Sequence, residues 1–176
     1  MALKRDIRSS MQMALDFLVE KIKEEIEGQG HRATGSLLDS IEAQIEETPD
    51  GFIGRILIND YALILDRGVT ANRVPFSSGS GARTSKYIDA LIDWIKIIKP
   101  SLAERERKSF AFAIARKAKK EGHPTRNSFT YSSNGRRKEW SRFSIDQNIN
   151  TFEEMLNLGK AVAAAYESFD VTALLN

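Results

Sequence analysis

The chain has 176 residues, 41% of them hydrophobic and 28% charged, a composition typical of a globular protein with a buried core. It has no cysteine, which excludes disulfides and thiolate zinc sites, and no run of the roughly 20 apolar residues that a membrane span requires. We expect a single intracellular domain over residues 1–176.

The small net charge of +2 hides a strong segregation of charge along the chain. Residues 1–66 carry 7 basic and 13 acidic side chains, whereas residues 103–142 carry 12 basic and 4 acidic ones. Such a chain can present its basic part to an acidic protein surface or to nucleic acid. Solvated helix faces account for the same pattern without a partner.

The first predicted element is a long amphipathic helix over residues 2–27. Its apolar side chains recur at spacings of three and four, and Gly28 and Gly30 follow as termination signals. A helix of this length runs about 40 Å, which is more than a domain of this size needs. We expect it to lie either across its own sheet or against another subunit. The apolar positions are Ile7, Met11, Ala14, Leu15, Leu18, Ile22 and Ile26.

A β-hairpin over about residues 40–59 is the clearest local signal in the chain. Apolar and polar residues alternate from 41 to 46, as in a half-buried strand, and residues 48–51 read Thr-Pro-Asp-Gly, which is typical of a tight turn. Closing the hairpin there places Ala43 opposite Ile56, so that the apolar side chains share one face.

A short helix over residues 61–67 is predicted next, with Asp60 in its cap and Gly68 at its end. A polar loop rich in serine and glycine follows over residues 69–85. Its Gly-rich part lacks the Lys-Ser/Thr ending of a phosphate-binding loop. Three of its side chains are suited to contact with a partner: Arg73, Phe76 and Arg83.

Two helices are predicted after this loop, over residues 85–99 and 101–121. Pro100 separates them, Ser101 and Glu104 have the spacing of a capping box, and Gly122 ends the second helix. The buried stripe predicted for the first helix comprises Tyr87, Ile88, Leu91, Ile92, Ile95 and Ile98. The second helix has a basic surface and a thin apolar face comprising Phe110, Ala113 and Ile114.

Residues 123–150 have little regular patterning. Asn134-Gly135 predicts a hairpin that pairs Phe129 with Trp140, and an extended arm is the alternative. A capping box at Thr151 predicts the start of a last helix, which ends at about Phe169. Together these elements predict an α+β fold, with a small antiparallel sheet built on the first hairpin and packed by the N-terminal helix and several later helices.

The residue pattern predicts no enzyme, no cofactor and no metal site. His31 and His123 lack the spacing of metal ligands, and we expect both in exposed loops. Pro49-Asp50 and Glu106-Arg107-Lys108 resemble the PD…ExK pattern of metal-dependent nucleases. We do not expect these residues to converge on one metal, because Asp50 lies in a predicted turn and Glu106 in a predicted helix. Nucleic-acid binding by the basic and aromatic residues 103–142 is the main alternative to a structural role.

The motifs of the first half follow a distinctive order. After the long helix come Thr34-Gly35-Ser36-Leu37 and Ser40-Ile41, then the acidic hairpin, then Asp60-Tyr61-Ala62 with Asp66 and Gly68, and then Pro75. This order resembles the HK97 gp10-like family of tailed-bacteriophage tail-completion and head–tail joining proteins. The resemblance covers about residues 5–80, and Asp66 stands where the family has Glu.

The resemblance implies a non-enzymatic virion protein of the phage neck, assembled in the host cytoplasm as a homo-oligomeric ring, commonly a hexamer. The implied partners are further copies of the chain, the portal or head–tail connector, and tail-tube or tail-terminator proteins, with non-specific contact to packaged DNA and no contact with a membrane. The residues we expect at these contacts are Arg73, Phe76, Arg83, Arg126, Arg136, Arg137, Lys138, Trp140 and Arg142.

Overall fold

A computed structural model describes residues 2–31, 34–77 and 85–168. These residues form an α+β fold with one antiparallel hairpin, as predicted. In chain order the elements are α1 (Ala2–Gly28), α2 (Ser36–Asp39), β1 (Glu42–Thr48), β2 (Gly51–Leu57), α3 (Tyr61–Arg67), a 3-10 helix (Ala71–Arg73), α4 (Lys86–Ile98), α5 (Glu104–Glu121), a second 3-10 helix (Arg126–Tyr131) and α6 (Trp140–Ser168). No helix in the described ranges is both long and apolar enough to cross a membrane.

The chain divides into two compact units, each made of segments that are separated along the sequence. The first unit takes the described parts of residues 1–25, 39–59 and 141–176, and the second takes those of residues 26–38 and 60–140. Counted over the full sequence, residues 1–25, 39–59 and 141–176 contain 8 basic and 15 acidic side chains, a net charge of −7. Residues 26–38 and 60–140 contain 18 basic and 9 acidic ones, a net charge of +9. The division into units therefore coincides with the segregation of charge.

In the first unit the hairpin packs against α1. The pairing of Ala43 with Ile56 and of Ile45 with Gly54 confirms the predicted register, and Pro49 and Asp50 form the two-residue turn. A Cβ placed on Gly54 would come within 2.9 Å of Leu15 Cδ1, so this face of the hairpin lies directly on the helix. The buried stripe of α1 agrees with the predicted spacing: Ala14, Leu15, Leu18, Val19, Ile22 and Ile26.

The last helix differs from the prediction. α6 begins at Trp140, eleven residues before Thr151, so the sequence at Thr151 that resembles a capping box lies inside a continuous helix. Because residues 140–150 are helical, the predicted pairing of Phe129 with Trp140 is wrong. β1 and β2 are the strands of the one sheet in the described residues.

The second unit has its core between α4, α5 and the residues that precede α4. Val74 and Phe76 pack with Ile88 and Ile95, and Phe76 makes an edge-to-face contact with Phe112 at a centroid distance of 6.3 Å. The helix α5 contributes small side chains to this core: Ala111, Ala115 and Ala118.

This choice of face corrects the prediction for α5. Phe110 and Ala113 are exposed, because the closely approaching α4 selects the alanine face of α5 rather than the face with the phenyl ring. On α4 the predicted stripe is largely confirmed, but Ile98 at its C-terminal end is exposed. The second unit thus leaves large apolar side chains on the outer faces of both helices.

The helix caps of this unit are confirmed in part. Ser85 accepts a hydrogen bond from Ile88 N and caps α4, and α5 ends at Gly122 as expected. The N-cap of α5 is Ala103 rather than Ser101, and the Glu106 carboxylate accepts from Ala103 N at 2.8 Å. The Asp60 side chain makes no capping hydrogen bond to α3.

Candidate contact surfaces

The C-terminal end of α1 explains the fold of the basic segment at residues 126–139. Gly30 has φ +72°, and its N–H donates to Glu27 O (2.7 Å) while His31 N donates to Ile26 O (3.1 Å). These two bonds form a Schellman motif, which satisfies two of the last carbonyls of the helix. The carbonyls of Gly28 and Gln29 are left for other donors.

Residues 132–137 supply those donors. Gly28 O accepts from Ser133 N (2.8 Å), Ser133 Oγ (3.1 Å) and Ser132 Oγ (3.2 Å). Gln29 O accepts from the Arg137 guanidinium at 2.6 Å, and the buried Gln29 amide donates back to Lys138 O at 3.0 Å. Residues 132–138, which belong to the segment predicted to be a hairpin or an arm, therefore form a cap on the C-terminal end of α1. Asn134 and Gly135 form a turn within the cap, in which Asn134 Oδ1 accepts a hydrogen bond from Arg136 N.

Both histidines lie near this cap and are partly buried, which corrects the expectation of exposed loop residues. His31 Nε2 donates to Arg137 O at 3.1 Å, because a carbonyl can only accept. His123 Nε2 lies 2.9 Å from Tyr87 Oη. Burial lowers the pKa of both imidazoles, and the Arg137 guanidinium lowers each pKa further. Both effects favour the neutral form of the rings, and the hydrogen bond to Arg137 O partly offsets them by raising the pKa of His31.

The structure separates the predicted contact residues of the basic segment by environment. Arg126 and Lys138 have exposed side chains, and Arg142 is exposed beside Asp146, with a separation of 3.3 Å. Arg136 and Arg137 are partly buried, and Trp140 is buried. Arg137 and Trp140 thus serve the fold, and replacing Arg137 by Glu would place a carboxylate against the Gln29 carbonyl.

The residues expected at the loop after α3 divide in the same way. Arg73 is exposed at the end of its 3-10 helix, whereas Phe76 is buried in the core of the second unit. The expectation that Phe76 contacts a partner is corrected by this packing. Lys119 donates to Val74 O at 3.0 Å and holds the loop against α5. Arg83 lies outside the described residues.

The outer face of α5 is a basic surface. Arg105, Arg116 and Lys120 are exposed at spacings of eleven and four, which places them on one stripe opposite the buried alanines. None of these three side chains forms an ion pair in the described part of the chain. Between the cationic ends lie the small exposed residues Ser109 and Ala113, and Phe110 is exposed on the flank of this face.

The outer face of the hairpin is acidic and apolar. Glu42 lies opposite Leu57 at its open end, and Glu46 lies opposite Ile53 near the turn. Leu57 and Ile53 are 45% and 43% exposed, which is high for aliphatic side chains on a sheet. Arg55 forms an ion pair with Glu46, whereas Glu42 has no ion-pair partner among the described residues.

The residues that resemble a nuclease pattern have structural roles in the turn of the hairpin and in the cap of α5. Asp50 occupies the hairpin turn, and the Glu106 carboxylate caps α5. In the ranges that the structure describes, no group of three or more His, Cys, Asp or Glu side chains could hold a metal ion.

Comparisons with known proteins found no match to this chain among protein-family models, curated proteins or solved structures.

Proposed function

We propose that this chain is a structural subunit of a tailed-bacteriophage neck, the tail-completion or head–tail joining component of the HK97 gp10-like type. The observation that carries the proposal is the order of elements over residues 2–68. The helix α1, the turn α2 at the Thr-Gly-Ser-Leu motif, the hairpin, and α3 ended by Gly68 follow each other as in the pattern of that family.

The motif residues have structural roles that support the resemblance. Leu37 of the first motif and Ala62 of the second are both buried. Gly68 has φ +72°, and a Cβ there would lie 2.5 Å from His123 O, so glycine is required to end α3 at this point. The motifs therefore record packing and backbone requirements, which is what a shared fold would preserve.

A role in a ring also agrees with the separation of charge. One unit carries a net charge of −7 and the other +9, so unlike surfaces of two copies attract each other. Contacts between different patches are heterologous, and they close into rings when the rotation between copies allows it. The exposed basic residues Arg73, Arg126 and Lys138 are the remaining candidates for contact with other neck or tail proteins.

The experiment is an early stop codon in the gene within its parental genome, followed by negative-stain imaging of lysates. A joining protein leaves DNA-filled heads and tails as separate particles, and the full chain supplied in trans restores joined virions. Joined, infectious particles at normal yield from the stop mutant overturn the proposal.

A second candidate is favoured by the exposed cations on α5. Arg105, Arg116 and Lys120 form an exposed stripe of cations, and such a stripe can contact the phosphates of a nucleic-acid backbone. An independent nucleic-acid-binding protein would retain double-stranded DNA as a monomer, with an affinity that falls steeply with salt. A filter-binding titration over a range of salt concentrations separates this candidate from the first.

A further inference from the structure

We propose that the outer face of the hairpin of one copy docks on the outer face of α5 of a second copy. The inference rests on the proposed function, since it names the surfaces through which copies of the chain would form the ring. It is carried by the match between two exposed faces, one in each unit, in charge, in spacing and in apolar content.

The hairpin would be stabilised by a protein surface that covers its outer face. A two-stranded sheet is marginally stable alone, and this one is supported by α1 on one face only in the described residues. On the open face Leu57 lies beside Glu42 and Ile53 lies beside Glu46, with Gln44 and Arg55 between these two pairs. Burying two aliphatic side chains that are almost half exposed would stabilise an interface and the hairpin together.

The helix α5 has matching dimensions. Its 18 residues span about 27 Å, and the seven-residue strands of the hairpin span about 23 Å. Glu42 and Glu46 are about 14 Å apart along β1, while Arg105 and Arg116 are about 16 Å apart along α5. The difference is within the reach of arginine side chains. Each acidic end of the hairpin can therefore meet a cationic end of the helix.

The centre of the α5 face favours a protein over nucleic acid. Ser109 and Ala113 make the middle of the face shallow, and Phe110, which is 38% exposed, lies on its flank. A phosphate backbone offers nothing apolar to pack against Phe110, whereas a hairpin offers Ile53 or Leu57. Since the two faces belong to different residues of the same chain, the contact is heterologous and can propagate from copy to copy.

The test is a charge-swap experiment on the full chain, with association measured by sedimentation velocity at low salt. One variant carries Glu42→Lys and Glu46→Lys on the hairpin, and a second carries Arg116→Glu and Lys120→Glu on α5. We expect each to raise the dissociation constant for self-association by at least about tenfold, because each places like charges opposite each other. An equimolar mixture of the two, or one chain with all four changes, regains association because the charges are complementary again.

Matched controls separate docking from net charge. Glu153→Lys with Glu154→Lys on α6 changes the total charge as the hairpin variant does. Lys96→Glu with Lys99→Glu, at the C-terminal end of α4 and just after it, changes the total charge as the α5 variant does. All eight positions are exposed, and circular dichroism verifies the fold of each variant. The controls should associate as the unchanged chain does.

Three results overturn the inference. One is association that the hairpin and α5 variants leave unchanged, and another is loss of association without recovery in the mixture. The third is an α5 variant that loses salt-sensitive DNA retention but keeps its self-association, which would make α5 a DNA surface. None of these results affects the stop-codon experiment, so failure of this inference and failure of the proposed function are distinguishable.

Discussion

The hairpin Glu42–Leu57 and the cap at residues 132–138 are both short segments closed by hydrogen bonds, but their partners lie at very different distances along the chain. The hairpin pairs with itself, and its furthest pair joins Glu42 to Leu57. The cap bonds to the end of α1, across sequence separations of 104 to 109 residues. The hairpin is specified by its own residues, because both partners of each of its backbone bonds lie within it. The cap is specified by the carbonyls of Gly28 and Gln29, which lie elsewhere in the chain.

This difference predicts where substitutions do most damage. The hairpin tolerates changes that keep its alternation, because each cross-strand pair contributes only a few tenths of a kcal/mol up to about 1 kcal/mol. The cap concentrates several donors on two carbonyls, so a single change there removes a hydrogen bond to a partly buried polar group.

The largest effect is expected from Gly30→Ala. Gly30 has φ +72°, and a Cβ there would lie 2.3 Å from Tyr131 O, which is backbone and cannot rotate away. We expect the free energy of unfolding to fall by about 3–5 kcal/mol, from the left-handed backbone and the steric overlap together. Urea denaturation of the full chain measures it.

Gly135→Ala is the matched control for this change. Gly135 has φ +73° but no atom within 4 Å of the added Cβ, so only the backbone cost of about 1–2 kcal/mol applies. Equal losses of stability at the two glycines would contradict the close packing of the cap on α1.

A smaller effect is expected when the cap and the hairpin each lose an arginine. Arg137→Met removes the 2.6 Å bond to Gln29 O, and we expect a loss of about 1.5–3 kcal/mol of unfolding free energy. Arg55→Met removes an exposed ion pair with Glu46, and we expect a loss of about 0.2–1 kcal/mol. Thermal denaturation at one protein concentration compares the two.

Lys138→Met serves as a neighbour control, since the Lys138 side chain is exposed and only its carbonyl joins the cap. It should unfold like the unchanged chain. If Arg55→Met lowered the free energy of unfolding as much as Arg137→Met does, the expected difference between the hairpin and the cap would be wrong.

The same distinction explains how far the sequence could be interpreted. The register of the hairpin, the end of α1 and the helices α3, α4 and α5 follow from local periodicity and glycine signals, and the structure confirms them. The cap could not be predicted, because Asn134-Gly135 is a turn signal whether or not strands flank it. Nothing local to residues 132–137 indicates that these residues bond to the carbonyls of Gly28 and Gln29, more than a hundred residues away.

The burial of the candidate contact residues could not be predicted for a related reason. Basic and aromatic residues in a segment without periodicity were interpreted as surface, yet Arg137 donates to a backbone carbonyl, and Phe76 and Trp140 are buried. Composition does not separate a cation that serves the fold from one that faces a partner. The exposed cations of α5 were visible in the sequence, but the face that carries them depends on which side α4 covers.

The smallest effect, and one confined to the cap side of the comparison, is expected from pH. Burial and the nearby Arg137 hold the pKa of His31 and His123 below the ordinary value, so the unfolded chain binds protons at a higher pH than the folded chain does. Stability is therefore unaffected by these groups above the unfolded pKa, and it falls as the pH drops through that value towards the folded pKa. Urea midpoints from about pH 8 to about pH 5 measure the slope. The variant His31→Gln with His123→Gln should flatten it over that window, while Arg137→Met should reduce it in part, since that change removes the charge but not the burial. An unchanged slope in the double variant would mean that the proton uptake belongs to other groups.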